Sequence, residues 1–176
     1  FANVSSISSK RCLWIIGTHN VAGEVTIDID TDGVASATVR NSASTEYGIT
    51  SSKQVGINEW HHYALVNNSG TMTLYVDGLD TGSVSISGTI GSSSVVTSIG
   101  SRAASEYPLL GYLDEIRFSD TARYTGDFTP PTTEFSSDSN TMLLIHGSGA
   151  MGSTTFTDSG PTGHTVTTNG AVMNVA

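Results

Sequence analysis

The sequence is short of nearly everything that would suit it to nucleic acid, a bilayer or a disulfide-built scaffold. Only seven of its 176 residues are Lys or Arg, against sixteen Asp and Glu, for a net charge of −9. A phosphate backbone demands a cationic footprint, so nucleic acid is excluded as a partner, and anionic membrane surfaces are excluded for the same reason. No apolar run approaches the ~18 residues of a spanning helix. Cys12 is the only cysteine and cannot form an internal disulfide. Between Arg11 and Leu13 it reads as a small buried hydrophobe, and a lone thiol suits a particle assembled in the cytosol or a bacterial surface protein. The opening Phe-Ala-Asn-Val-Ser lacks the basic and apolar regions of a signal peptide, and Phe1 reads as the first retained residue of something longer. Helix-forming residues at helical spacing are also missing.

What remains is Ser, Thr and nineteen Gly distributed among short alternating runs. Such a chain is all-β, with many short strands and polar turns. Arg11–Gly17 is a compact apolar strand. Val25–Asp30 and Val34–Val39 alternate on either side of Thr31-Asp-Gly33, which is a hairpin. Ile49–Val55, Ser83–Ser87, Val95–Gly100 and Leu109–Ser119 are further strands. The clearest signal is Asn58-Glu-Trp-His-His-Tyr-Ala-Leu-Val-Asn-Asn-Ser-Gly-Thr-Met-Thr-Leu-Tyr-Val-Asp-Gly78. Trp60, His62, Ala64 and Val66 share one parity and Met72, Leu74 and Val76 another, which predicts two strands with one buried face each, reversing at Asn-Ser-Gly. Pro130-Pro131 ends the sheet, and residues 132–140 are a polar linker.

Trp60-His-His62, Leu74-Tyr-Val-Asp-Gly78, Ile99-Gly100 and Gly111-Tyr-Leu-Asp-Glu-Ile-Arg-Phe118 together resemble the body of a laminin-G-like, concanavalin A-type jelly roll. Ser119-Asp-Thr-Ala-Arg-Tyr-Thr-Gly-Asp-Phe-Thr-Pro130 is most similar to the exit of such domains in marine phage structural proteins. Leu143-Leu-Ile-His146 and Gly152-Ser-Thr-Thr-Phe-Thr-Asp-Ser159 resemble the opening of the same family, with Gly147-Ser148 in place of the usual Phe-Asp. The resemblance implies an antiparallel jelly-roll β-sandwich that is incomplete or permuted. Residues 1–131 would be its body, lacking the opening strands, and residues 141–176 the opening strands of a following or complementing unit. Unpaired strand edges need covering. A longer tandem array is the expected arrangement; folding back in cis and donation to a neighbouring subunit are the alternatives.

The resemblance also implies one Ca²⁺ where opening loop and closing strand meet, which nominates Asp114 and Asp158, with cappings and turns as the plainer explanation. The run Asp28-Ile-Asp-Thr-Asp-Gly33 starts like a calcium loop, but the twelfth position is Val39, and a hairpin explains it better. Asp114 and Glu115 are neighbours on a strand and point to opposite faces, so they cannot act as a retaining glycosidase pair. With no G-x-S-x-G either, the chain is read as non-enzymatic. His62 is expected in the core, as are Trp14 and Trp60. Tyr107, Tyr112 and Tyr124 are the candidate ligand-binding aromatics. Together these point to a structural or binding module of a phage virion, located on the particle or an extracellular surface. Its partners would be copies of itself, neighbouring virion or filament subunits, and glycans. A bacterial adhesin or filament subunit joined by strand donation, and a secreted carbohydrate-binding module, are the alternatives.

Overall fold

The computed structural model describes residues 1–91, 96–102, 106–169 and 174; of the expected strand at Val95–Gly100, Val95 lies outside the described residues. Among the described residues there are strands and no helix. The strands are β1 (Ala2–Val4), β2 (Arg11–Ile16), β3 (Val25–Ile29), β4 (Val34–Arg40), β5 (Glu46–Gln54), β6 (Trp60–His61), β7 (Tyr63–Asn68), β8 (Thr71–Val76), β9 (Leu79–Ser85), β10 (Thr97–Ile99), β11 (Gly111–Leu113), β12 (Ile116–Ser119) and β13 (Thr141–Ile145). The registered pairings are antiparallel. This is the all-β, antiparallel class that the alternating runs predict, consistent with the jelly roll that the resemblance implies.

The chain divides into two compact units. The larger comprises Ala2–Tyr112 and Tyr124–Pro130; the smaller comprises Phe1, Leu113–Arg123 and Pro131–Ala176. In the larger unit, a five-stranded sheet runs in the order β10-β2-β3-β4-β5, with a meander β7-β8-β9 and a three-stranded sheet β11-β1-β6. Ile15, Ile27, Ile29, Val39, Leu74 and Val76 are fully buried. Cys12 is buried too, 3.8 Å from the Thr26 hydroxyl. Burial pushes its thiol up to about 12, so it is an inert apolar side chain.

Turn chemistry sets the registers. Asp30–Gly33 closes the β3–β4 hairpin, with Gly33 N donating to Asp30 O and Val34 N to the Asp32 carboxylate. Ser69 and Gly70 both take left-handed φ (52° and 88°), as do Asp77 and Gly78 (52° and 79°). These are the two-residue turns whose twist matches paired strands. They put Leu65 opposite Leu74, Tyr63 opposite Val76, and Val66 opposite Thr73. Tyr63, Leu65 and Asn67 thus share the side of Met72, Leu74 and Val76, while Val66, on the opposite side, is buried as expected and Ala64 is half-buried. Parity fails at Trp60, which is 50% exposed rather than in the core. The cause is a switch of sheet: Trp60 pairs with Asn3 of β1, while Tyr63 begins the meander. His62, at the switch, is buried as expected.

Gly78 has a second duty. A Cβ there would lie 1.9 Å from Phe128 O, while Phe128 N donates to Gly78 O at 2.8 Å. The segment Tyr124–Pro130 is held across the meander by this contact.

One buried ion pair joins β3 to the bend at Arg102. The Arg102 guanidinium donates to Asp28 Oδ2 at 2.5 Å, both residues being about 95% or more buried. Burial raises the Asp28 pKa and the guanidinium offsets only part of that, so the pair fixes geometry more than it adds stability.

In the smaller unit β12 pairs with β13, Ile116 opposite Ile145 and Phe118 opposite Leu143. Residues 141–145 thus pair within their own chain. The expected single strand over Leu109–Ser119 is two strands, broken where Glu115 turns left-handed (φ 52°). Its carboxylate is drawn inward, accepting Phe135 N at 2.6 Å and bonding His146 Nδ1 at 2.7 Å. Residues 132–140 belong to this unit: Asp138 clamps Arg123 with two 2.6 Å bonds, and the Arg117 guanidinium lies 4.1 Å from the Phe135 ring centre.

Two outcomes are expected. Gly78→Ala, which adds both a left-handed strain and a backbone clash, lowers the urea-unfolding free energy by roughly 3 kcal/mol. Arg102→Met alone costs about 3–5 kcal/mol by stranding a buried carboxylate, and Arg102→Met with Asp28→Leu restores most of it; equal losses in single and double variants would contradict the pairing.

Candidate functional site

Two exposed aromatic side chains of the larger unit, Trp60 and Tyr112, meet on the β11-β1-β6 sheet. Trp60 on β6 and Tyr112 on β11 are 50% and 47% exposed, with ring centres 6.5 Å apart and planes tilted by 41°. β1 lies between them, with Asn3 half-buried and its Oδ1 covered, and Ala2 and Val4 buried. A Cβ on Gly111 would meet Asn3 O at 2.0 Å, so only glycine lets the outer strands close on β1. Leu110 and Ile57, both nearly half-exposed, flank the same sheet through Leu110 O, which accepts Ser5 N, and Asn58 N, which donates to Val4 O. The result is an apolar, aromatic platform.

The structure sorts the sequence candidates. Tyr112 lies on the platform. Tyr107 is 41% exposed but carries the Arg102 guanidinium 5.0 Å from its ring centre. Tyr124 is half-buried and stacks in parallel on Phe128 at 3.6 Å, with His62 and Tyr75 set edge-on. Trp60, assigned to the core from its parity, was missed as a surface group. Its partner strand β1 sits in a Ser-rich stretch with no local strand signal, so nothing in the sequence separates Trp60 from His62.

The nominated metal carboxylates lie in the smaller unit and each bonds β13 or its exit. Asp114 Oδ1 accepts Glu115 N at 2.8 Å and Gly147 N at 2.7 Å. Asp158 is buried; its Oδ1 accepts Leu144 N and Gly160 N, and its Oδ2 accepts His164 N and bonds His164 Nδ1, all within 2.9 Å. Desolvation raises the Asp158 pKa, but the backbone donors outweigh it and hold the group at about 2. An acidic cluster is also present: Glu115, Glu134 and His146 bring ligand atoms within 4.8 Å of one another. Ca²⁺ takes six to eight oxygens. Four donors already saturate Asp158, and the cluster offers two carboxylates and a nitrogen, so neither arrangement as it stands is a calcium cage.

The acids weighed for catalysis are also engaged: Asp28 is buried against Arg102, and Asp30 pairs with Lys10 at 2.8 Å.

Residues 2–127 match a laminin-G-type family profile described as the concanavalin A-like lectin/glucanases superfamily. The chain belongs to this family. No curated protein matches its sequence. Among solved structures, it is similar to a candidate carbohydrate binding protein from Bacteroides ovatus, at 20% identity and a TM-score of 0.63 over 90% of this chain. The match covers 47% of that protein, so this family member spans about half of the structure it resembles. A second similar structure is the heptameric SAP-like pentraxin from Limulus polyphemus, at 17% identity and a TM-score of 0.47, covering 62% of this chain and 56% of that one. At these identities the likeness shows the fold alone.

The depressed Asp158 pKa means that stability is fully present above the usual value of 3.8 and is lost as pH falls through about 2. The shift corresponds to about 2 kcal/mol. Asp158→Asn faces the His164 N–H with an amide donor and is expected to lose roughly that amount at neutral pH. Its unfolding free energy should also fall less steeply than the native chain's below pH 4; parallel acid limbs would show that Asp158 does not carry the effect.

Proposed function

We propose that this chain is a non-enzymatic, lectin-like module that binds glycan surfaces through the Trp60–Tyr112 platform. The single observation that carries the reading is that pair: two large aromatic rings left half-exposed side by side on one sheet, where water contact with apolar surface is unfavourable unless a ligand covers it. The family membership supports it, and so does the provisional description of the Bacteroides ovatus protein as carbohydrate binding. Trp60, Tyr112, Leu110 and Ile57, the exposed side chains named for the platform, carry no charge, which suits neutral sugars over sulfated or phosphorylated ones.

The wider setting is part of the same proposal. Residues 111–130 and 141–168 resemble phage structural proteins, and an acidic chain with one buried thiol suits a particle component. We therefore read the module as part of a virion or an extracellular surface, meeting host glycans and neighbouring copies. Ca²⁺ enters only where Asp114 and Asp158 release the backbone donors they hold. Adding Ca²⁺ is expected to leave the melting temperature unchanged, and a clear rise would restore the cation to the reading.

The test is binding to a glycan array and to insoluble polysaccharides. Trp60→Ala and Tyr112→Ala should each weaken binding roughly tenfold, and together should abolish it, with melting temperatures unchanged. Undiminished binding by the double variant would remove the platform from the function.

A further inference from the structure

The meander carries a second feature that the aromatic platform does not use. On the face of β7–β9 that looks away from Met72, Leu74 and Val76, the register aligns Val66, Thr73 and Ser83 in one row and Ala64, Tyr75 and Asp80 in the next. The segment Tyr124–Pro130 lies against this face and closes one side of a depression of about 320 Å³. Asn68, Thr73, Tyr75, Asp80, Ser83 and Tyr124 line it.

The depression is built rather than incidental. Its Tyr124 wall is parallel-stacked on Phe128 at 3.6 Å with an interplanar angle of 3°. Phe128 is bonded to Gly78, and Asp127 accepts Asp80 N at 2.8 Å. Three separate contacts therefore set the wall before any ligand arrives, which removes much of the ordering cost of binding.

We propose that this depression binds a single neutral pyranose, held by a pair of neighbouring ring hydroxyls donating to Asp80, with a C–H face of the ring against Tyr124. Its volume sits at the small end of ligand clefts, enough for one ring. No Lys, Arg or His lines it, so a phosphate or sulfate finds no counter-charge beside Asp80. Asp80 is the carboxylate of the lining, and the adjacent Asp127 already accepts Asp80 N, so the pair falls short of the six to eight oxygens Ca²⁺ takes. Thr73 bonds the Tyr75 hydroxyl and Asn68 Oδ1 accepts from Ser69, but a lipid or apolar ligand would bury the Ser83 hydroxyl and the Asn68 amide N–H groups without partners. A sugar satisfies all of them at once: its hydroxyls accept from Thr73, Ser83 and the Asn68 amide and donate to the carboxylate. Among the described residues Asp80 gives only Oδ1 to the protein, accepting Gly82 N at 3.1 Å. Burial first, then the charges of Asp80 and Asp127, raise the Tyr75 pKa, so its phenol is a hydroxyl donor across the neutral range. This site stands on residues separate from Trp60 and Tyr112 and does not rest on the platform.

The test is ligand-observed saturation-transfer NMR on the full chain with the methyl glycosides of glucose, galactose and mannose, each at millimolar concentration (about 1–10 mM). At least one glycoside should receive transfer at its ring protons. Asp80→Asn and Thr73→Val keep the shape of the depression and should each weaken that binding about tenfold; Tyr124→Ala should remove the transfer to the ring C–H face. Trp60→Ala with Tyr112→Ala should leave it unchanged, even where polysaccharide binding is lost. Inorganic phosphate and Ca²⁺, added in excess, should not compete. The proposal is overturned if none of the glycosides shows transfer, if Asp80→Asn and Thr73→Val bind as the native chain does, or if the signal disappears only with Trp60 and Tyr112.

Discussion

Gly78 meets the backbone of Phe128 at a distance no side chain could tolerate, and the surface of the larger unit depends on that approach. The left-handed turn at Asp77-Gly78 fixes which residues of β8 face which of β9. The same turn leaves its carbonyl free to accept Phe128 N. Turn and cross-chain bond are thus one constraint. It sets the row of hydroxyl-bearing side chains on the outer face of the meander and the aromatic wall beside it. His62 extends the effect inward: its ring sits edge-on to Tyr124 and Phe128, so the point where the chain changes sheet is packed under the segment that Gly78 holds.

The charge of −9 has little to do with chemistry at an open site. Asp28 is matched by Arg102, Asp138 by Arg123, and Asp77 by Lys53 and His61. Asp158, Asp114 and Glu115 accept backbone N–H groups at places where the chain leaves a strand. In each case a carboxylate does what a longer ladder would otherwise do, because irregular backbone must find acceptors when it is buried. That use accounts for much of the acidic content of a chain with sixteen Asp and Glu.

Strands that alternate strictly were readable one by one. β3, β4 and β8 fall within a residue or two of where their hydrophobic period puts them, and the Asp32-Gly33 and Ser69-Gly70 turns are visible as dipeptides. The readings that failed share a cause. Trp60 and His62 differ by two positions and should share a face, yet the chain passes from one sheet to another between them. Leu109–Ser119 looks continuous, yet Glu115 turns inward to reach Phe135 and His146. Neither event has a local signature, because each is driven by a partner far along the chain. Tyr112 was legible as an exposed candidate; that Trp60 is its neighbour was not.

By itself the sequence determined that this protein is all-β, antiparallel and built from hairpins, because side-chain period and turn residues act over a few positions. It also determined the family, through motifs that keep their spacing. Tertiary structure alone decided that residues 141–145 close against β12 of the same chain, that Asp158 is held by three backbone donors and the His164 ring, and that Trp60, Tyr112 and Tyr124 face solvent or a wall rather than the core. Those outcomes depend on which strand edges remain unpaired and which buried N–H groups lack acceptors, and such quantities exist only once distant segments have met.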